Sequence, residues 1–325
     1  MQIGILTSPR DASEHFNVDA ADNPKPSLDR YLPEHHLHYI DIRNSDFEMA
    51  MKAVSQKNFD VVVNLCDGGN DEHIPGIEVV RYLENATIAF TGAASAFYDP
   101  TREEMKQAAA NAGVATPRSL AVHSMTEITH PVLSTLAYPL IVKHPHSYNS
   151  IGLTRASRVV DDVSMRLELD RMISAFGGAL IEEFIDGREF TVLVTEPRLG
   201  EDLPWVFTPH EVGFPIGETF KHFDLKWKHY ADMTLRPIAD ETLSGKLKDA
   251  SIAIFQHLNG NGYARLDFRM NAMSDLIFLE INPNCTIFMP TSESFGCADT
   301  ILAHDGAHQS FARHILDRAC ARSIM

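Results

Sequence analysis

The sequence predicts an α/β protein of several domains, and three observations carry that prediction. Over roughly the first ninety residues, short β-type runs alternate with helical ones, the pattern of a small open α/β sheet. A helix with its own start signal at Thr101 opens a second stretch in which apolar strands and a long helix recur. Near the C-terminus, residues 263–284 form two alternating segments around a polar break, which read as an antiparallel hairpin. The expected domains are 1–100, 101–180 and 181–325.

The bulk properties narrow the class. The chain has 325 residues, 44% hydrophobic and 22% charged, enough for two or three modest cores. Its formal charge of −16 argues against a nucleic-acid partner, while local Lys and Arg still allow a small anion. Cys66, Cys285, Cys297 and Cys320 form no CxxC pair, so reduced thiols are expected. No apolar run reaches the length of a membrane span, and no basic-then-apolar leader opens the sequence. A soluble cytoplasmic protein with no membrane partner is the expectation.

In chain order, Met1 to Leu6 is a strand and Thr7 to Asp29 a polar loop, with the crossover beginning near Leu28. Glu34, His35, His36 and His38 cluster, but no carboxylate–histidine framework for a metal follows, and solvated surface is the simpler reading. Tyr39 to Ile42 is a strand, Phe47 to Val54 a helix, and Asp60 to Leu65 a buried parallel strand. Two glycines follow, and Pro75-Gly76 starts a helix through Glu84. Ligands of such sheets sit at strand C-terminal ends, where Asn64 to Glu72 lies.

Asp99-Pro100 marks a boundary, and Thr101-Arg102-Glu103-Glu104 is a capping box for a helix that stops at Gly113. Strands follow at Ser119 to Val122 and Tyr138 to Lys143, then a polar loop and a strand near Leu153 to Val159. A strand-end lysine before a flexible loop suits a phosphate lid, although the P-loop pattern is missing. Asp162 to Phe176 is a helix. Ala179 to Ile185, a turn at Asp186-Gly187 and Glu189 to Val194 read as an antiparallel pair, on which Glu182 and Glu189 could be edge-strand charges against aggregation. Glu196 to Ala239 is irregular, and an excursion that long is usually functional. Glu241 to Leu258 is an amphipathic helix, and a last helix runs near Ala307 to Ala321.

With a four-residue turn at Ala272 to Asp275, the hairpin places Asp267 opposite Glu280 and Arg265 opposite Asn282. Facing carboxylates repel unless a positive charge intervenes. Asp, Glu and Asn oxygens suit a hard cation such as Mg2+. A surface hairpin with unrelated charges is the alternative.

Together these pieces resemble the ATP-grasp superfamily, and within it the D-alanine–D-alanine ligase-like carboxylate–amine ligases. The resemblance covers nearly the whole chain and is most specific in DPTREEMKQAAANAGVATP, YPLIVKHPHSYNSIG, IEEFIDGREFTV, and GYARLDFR with FLEINPN. It implies an N-terminal open α/β domain followed by central and C-terminal ATP-grasp domains, an α+β arrangement with ATP between two sheets. It implies Lys143 on the phosphates, with Arg102 where the family commonly has lysine and Ser150 in the lid. Glu182, Glu183, Phe184 and Ile185 become the adenine segment, and Glu189 the ribose ligand. Asp267, Glu280 and Asn282 would hold two Mg2+ ions, with Mn2+ as a substitute. Lys226 would cover the γ-phosphate, and Arg265 would stabilise the acyl-phosphate and the tetrahedral intermediate.

The implied reaction joins a small-molecule carboxylate to an amine: ATP phosphorylates the carboxylate, and the amine displaces phosphate. Closure of the His144–Gly152 and Pro209–His229 loops would exclude water. A phosphotransferase stopping at phosphorylation, a nucleotide-binding protein without turnover and a true D-alanine–D-alanine ligase are the alternatives, and a homodimer stays open. The departures from the strict family fall on the amino-acid side. Asn149 and Trp227 stand where it has serine and tyrosine, Glu14 is a weak match for its N-terminal glutamate, and Pro283-Asn284-Cys285-Thr286 replaces its Ser-Pro-Gly segment. The expected substrates are amino acids or small carboxylates and not D-alanine twice.

Overall fold

The computed structural model describes residues 1–9, 25–69, 74–128, 135–145, 150–289 and 297–322. Its first unit is a parallel sheet ordered β2-β1-β3. The strands are β1 (Gln2–Thr7), β2 (His36–Asp41) and β3 (Val61–Leu65), with α1 (Phe47–Gln56) between the last two. Helices α2 (Ile77–Asn85) and α3 (Ser95–Tyr98) lead to α4 (Arg102–Asn111). The expected capping box opens α4: the Thr101 hydroxyl accepts from Glu104 N–H, and the Glu104 carboxylate accepts from Thr101 N–H at 2.7 Å.

The second unit is an antiparallel sheet ordered β4-β7-β5-β6, built from β4 (Ser119–Val122), β5 (Leu140–Lys143), β6 (Arg158–Val159) and β7 (Ala179–Glu183). Helix α5 (Asp162–Phe176) covers one face with Met165, Leu169 and Met172 packed on Leu140, Val142, Ala179 and Ile181. Strand alternation sends Lys143 and Glu182 to the opposite face.

The third unit is a six-stranded sheet with β8 (Arg188–Pro197), β9 (Pro204–Val206), β10 (His210–Gly213), β11 (Thr234–Pro237), β12 (Tyr263–Met270) and β13 (Leu276–Pro283). Its order is β11-β10-β8-β12-β13, with β9 also on β8. The short helix α6 (Phe223–Trp227) precedes β11, and α7 (Glu241–His257) follows it. Phe190, Val192, Leu266, Phe268 and Phe278 pack against α4 and α7 on one face, each withdrawing roughly 1.5–3 kcal/mol of side chain from water. That packing fixes the backbone from which the opposite face presents its polar residues. The chain closes with α8 (Cys297–His304) and α9 (His308–Arg322), whose Ile301, Phe311 and Ile315 join Ile3, Ile5 and Val63 in one core.

Several expectations change. Strands β7 and β8 are not a hairpin: they belong to different sheets, and residues 184–187 cross from one to the other. Gly187 makes the crossing feasible, with φ +148° and a position where a Cβ would lie 1.9 Å from the Met270 carbonyl oxygen. Strand β7 runs through the 180/181 boundary, and α4 packs on the third sheet instead of the second. The Leu153–Val159 strand shrinks to two residues after a 3-10 turn. Residues 196–239 hold α6 and the strands β9, β10 and β11, each of three or four residues and too short for a periodic signal. The chain near Leu28 makes a single turn into β2, and α8 was not expected. Among the described residues no helix is long and apolar enough to cross a membrane.

Candidate nucleotide and metal site

The polar faces of the second and third sheets carry the expected site residues. Across β12 and β13, Asp267 does stand opposite Glu280 and Arg265 opposite Asn282. The register is reached by a different route. The turn is one residue longer than expected, pairing Met270 with Leu276, and a β-bulge between Asp267 and Phe268 restores the offset. Phe278 and Ile281, three apart, therefore share one core, and the Leu279 carbonyl accepts from Arg102 Nη1 at 3.3 Å.

Each of these carboxylates has a cation. Arg265 Nη2 lies 3.0 Å from Asp267, and Arg102 Nη2 lies 2.9 Å from Glu280. Burial alone would raise the Asp267 carboxyl, but Arg265 and Lys221 outweigh it and hold it at about 2. At Glu280, burial and the Asp267 charge push up while Arg102 and Lys143 push down, and the net shift is downward. Asn282 donates to Glu280 Oε1 at 3.4 Å.

At the other end of the crevice, Lys143 Nζ lies 2.6 Å from Glu182, with Lys106 at 3.8 Å. Glu183 takes Arg118 at 2.6 Å and the Ala137 N–H at 2.9 Å. Phe184 and Ile185 form the crossing to β8, on which Glu189 sits opposite Arg269. Arg269, nearly buried, donates twice to Glu189 Oε2 at 3.1 and 2.7 Å, to the Ile185 carbonyl at 2.8 Å and to the Thr219 carbonyl at 2.5 Å. Its guanidinium also lies 4.7 Å from the Phe184 ring. Lys221 Nζ reaches the other oxygen of Glu189 at 2.8 Å. Against the burial that favours the neutral acid, Lys221 and Arg269 hold Glu189 below the usual carboxylate range.

The lid end and the following loop are tied together. Ser150 Oγ donates to the Lys221 carbonyl at 2.9 Å, and Phe223 N–H to the Leu153 carbonyl at 3.0 Å. Lys226 and Trp227 ride on α6, capped by His222. Asn149 and Glu14 lie outside the described residues.

Asn284 and Cys285 face inward instead of lining an open pocket. Asn284, 1% exposed at φ +50°, donates to the Cys66 carbonyl at 2.9 Å, pinning the end of β3. Cys285 packs with Tyr263 and Ile287, and burial pushes its thiol up to about 12. Thr286 is exposed instead, donating to Asp67 at 2.5 Å. Among the described residues no three His, Cys, Asp or Glu could hold a metal, the Glu34–His38 cluster included.

Three site residues were missed. Lys106 lies one turn after Arg102 on α4, and that spacing could have found it. Arg269 continues the one-face series Arg265, Asp267, Arg269. Lys221 carries no periodic signal. With them, six cations (Arg102, Lys106, Lys143, Lys221, Arg265, Arg269) face four carboxylates (Glu182, Glu189, Asp267, Glu280), a local positive surplus in a chain of net charge −16.

Two sheets with such a crevice between their polar faces define the ATP-grasp fold. The D-alanine–D-alanine ligase from Bacillus anthracis complexed with ATP superposes with a TM-score of 0.70 at 16% identity, covering 99% of this chain and 98% of that one. The D-Ala:D-Ser ligase VanG from Enterococcus faecalis does so at 0.66 and 14%, covering 99% of each. The family model described as D-ala D-ala ligase C-terminus matches residues 110–294, more than half of the sequence. The chain belongs to that family. A D-alanine–D-alanine ligase of Stutzerimonas stutzeri is 31% identical over 221 residues, 66% of this chain. An uncharacterized protein of Sinorhizobium fredii is 28% identical over 235 residues, 68% of this chain. The chain spans 64% of the length of each of these two relatives.

Proposed function

We propose that this protein is an ATP-dependent carboxylate–amine ligase working through an acyl-phosphate. The observation that carries the reading is the Asp267/Glu280 pair beside Arg265/Asn282, beneath a crevice with surplus cations. A carboxylate oxygen of the first substrate bonds to the γ-phosphorus and ADP leaves. An amine then bonds to the activated carbonyl carbon and phosphate leaves. The protein forms no covalent bond in this scheme, so its work is positioning and charge stabilisation. Lys143, Ser150 and Lys226 would hold phosphates, residues 182–185 the adenine, and Glu189 the ribose. Arg265, with its fork of fixed donors, would bind the oxygens that gain charge.

Asp267, Glu280 and Asn282 suit Mg2+, two ions with Mn2+ as substitute. The donor set is all oxygen, and the repulsion between the two carboxylates, now met by Arg265 and Arg102, is what a divalent cation relieves. Bound there, Mg2+ would screen the phosphate charges.

The substrates we propose are amino acids or small carboxylates, and not D-alanine twice. Asn149 and Trp227 occupy the resemblance's serine and tyrosine positions, and an indole offers one N–H and no acceptor. Asn284 is committed to the Cys66 carbonyl. A panel of amino acids and dipeptides, assayed for ADP release with and without an amine acceptor, tests both parts. A ligase releases ADP with the carboxylate and more with the amine. Stable phosphorylated product without amine dependence would make it a phosphotransferase. Robust dipeptide formation from millimolar D-alanine alone would overturn the substrate proposal.

A further inference from the structure

The ribose carboxylate has one cation more than it needs. Arg269 already neutralises Glu189 through two hydrogen bonds to Oε2, from a buried position fixed by the Ile185 and Thr219 carbonyls. Lys221 adds a second positive charge on Oε1 at 2.8 Å. With Arg269 in place, Glu189 keeps a full counter-charge even if the ammonium on Oε1 moves away. Arg269 therefore accounts for Glu189, and Lys221 is left to be explained.

Its position supplies the explanation. Asp267 pairs with Thr191, two residues along β8 from Glu189 and on the same face, so the ribose and metal carboxylates are diagonal neighbours on adjacent strands, roughly 7–8 Å apart. The ammonium lies in the field of both. Burial opposes its charge, yet Glu189 and Asp267 together raise its pKa above the ordinary lysine value. A nucleotide whose ribose meets Glu189 and whose terminal phosphates meet Asp267 and Glu280 must run its first phosphates through this space. The backbone of Lys221 is held as well: its carbonyl accepts from Ser150 Oγ at the lid's end, and Thr219, two residues earlier, is held by Arg269.

We propose that Lys221 is a phosphate-binding residue of the nucleotide site, reaching the phosphates next to the ribose once a ribose hydroxyl takes its place on Glu189. In the nucleotide-free protein the same ammonium serves as a resident counter-ion, parked on the carboxylate the ribose will occupy. The proposal rests on the nucleotide reading above and adds a residue to it. It also assigns the lid contact a purpose, since the Ser150 hydroxyl that steadies Lys221 belongs to the loop expected to cover the phosphates.

Calorimetric titration with adenosine, ADP and ATP, each with Mg2+, tests it on the wild type, Lys221→Met and Lys221→Arg. Loss of one charge-assisted phosphate contact should weaken ATP and ADP binding to Lys221→Met by about ten- to a hundredfold, with adenosine bound no more weakly than by the wild type and Lys221→Arg keeping most of the affinity. An equal loss for adenosine and ATP would mean that Lys221 serves only Glu189, and unchanged ATP affinity would mean that it touches no phosphate. Either overturns the proposal. If the wild type binds none of the three, the nucleotide reading itself falls. Lys221→Gln repeats the comparison should the methionine variant not fold.

Discussion

The two ends of the crevice neutralise their carboxylates in different ways. At the proposed ribose end Glu189 is buried and enclosed by Arg269 and Lys221, and Arg269 also binds the crossing at Ile185 and the loop at Thr219. At the proposed metal end Asp267, as buried as Glu189, has Arg265 with Lys221 in support, whereas Glu280 has Arg102 and keeps 29% of its side-chain surface exposed. A guanidinium anchored on two carbonyls, as Arg269 is, holds Glu189 in place whether or not Lys221 leaves it. A carboxylate met by a single, part-exposed arginine can exchange that partner for a metal ion or a phosphate. On the proposed reading Arg269 fixes the first end in place, while Lys221 and the two arginines of the second end exchange partners.

Substitutions can break this contrast, and the largest effect belongs to the second end. Glu280→Gln should lower ADP release by about a thousandfold, the upper range for losing one preorganised electrostatic group. The nucleotide-free protein should melt within a few degrees of wild type, because the change also removes repulsion with Asp267. Ordinary turnover in this variant would remove Glu280 from the metal site. Next, Arg269→Met leaves Glu189 buried with Lys221 alone and should cost about 3 kcal/mol in denaturant unfolding. Its counterpart Arg102→Met, beside the part-exposed Glu280, should cost under about 1 kcal/mol. Equal losses at the two positions would erase the distinction between the ends. Third, Arg265→Lys should slow turnover about a hundredfold while ATP affinity by calorimetry holds, since a point charge cannot replace the guanidinium fork.

The smallest effect is in acid. Glu189, Asp267 and Glu280 all have folded values below their unfolded ones, so their contribution is complete above the ordinary carboxylate range and is lost as pH falls. For Asp267 the window runs from 3.8 down to about 2. The denaturant midpoint of the metal-free protein should drop there, and drop less in Asp267→Asn. His314 gives a separate window: burial holds its imidazole down to about 4 from 6.5, so its share is lost as pH falls between those values. A midpoint flat below pH 4 would contradict the carboxylate assignments.

The sequence already carried much of this geometry, and particular residues explain the rest. Asp267, Glu280, Arg265 and Asn282 were legible because strand alternation fixes which residues share a face, and the turn and the bulge shift the register by equal and opposite amounts. The β7–β8 crossing was not. Asp186-Gly187 between two apolar runs looks like a hairpin turn, and only strands tens of residues away, β5 for one and β12 for the other, decide that the chain changes sheets. The short strands β9 and β10 are held by β8, and β11 by β10, and they have little pattern of their own. Arg269 was visible as the third member of a face series, whereas Lys221 depends on how a loop folds back and left no trace in the spacing.

The central claim is tested most directly by the fate of oxygen. A carboxylate substrate identified by ADP release is labelled with 18O in both oxygens and turned over with unlabelled ATP and an amine. An acyl-phosphate route transfers one carboxylate oxygen to phosphorus, so the account predicts inorganic phosphate carrying one 18O. Amide product accompanied by unlabelled phosphate would contradict it.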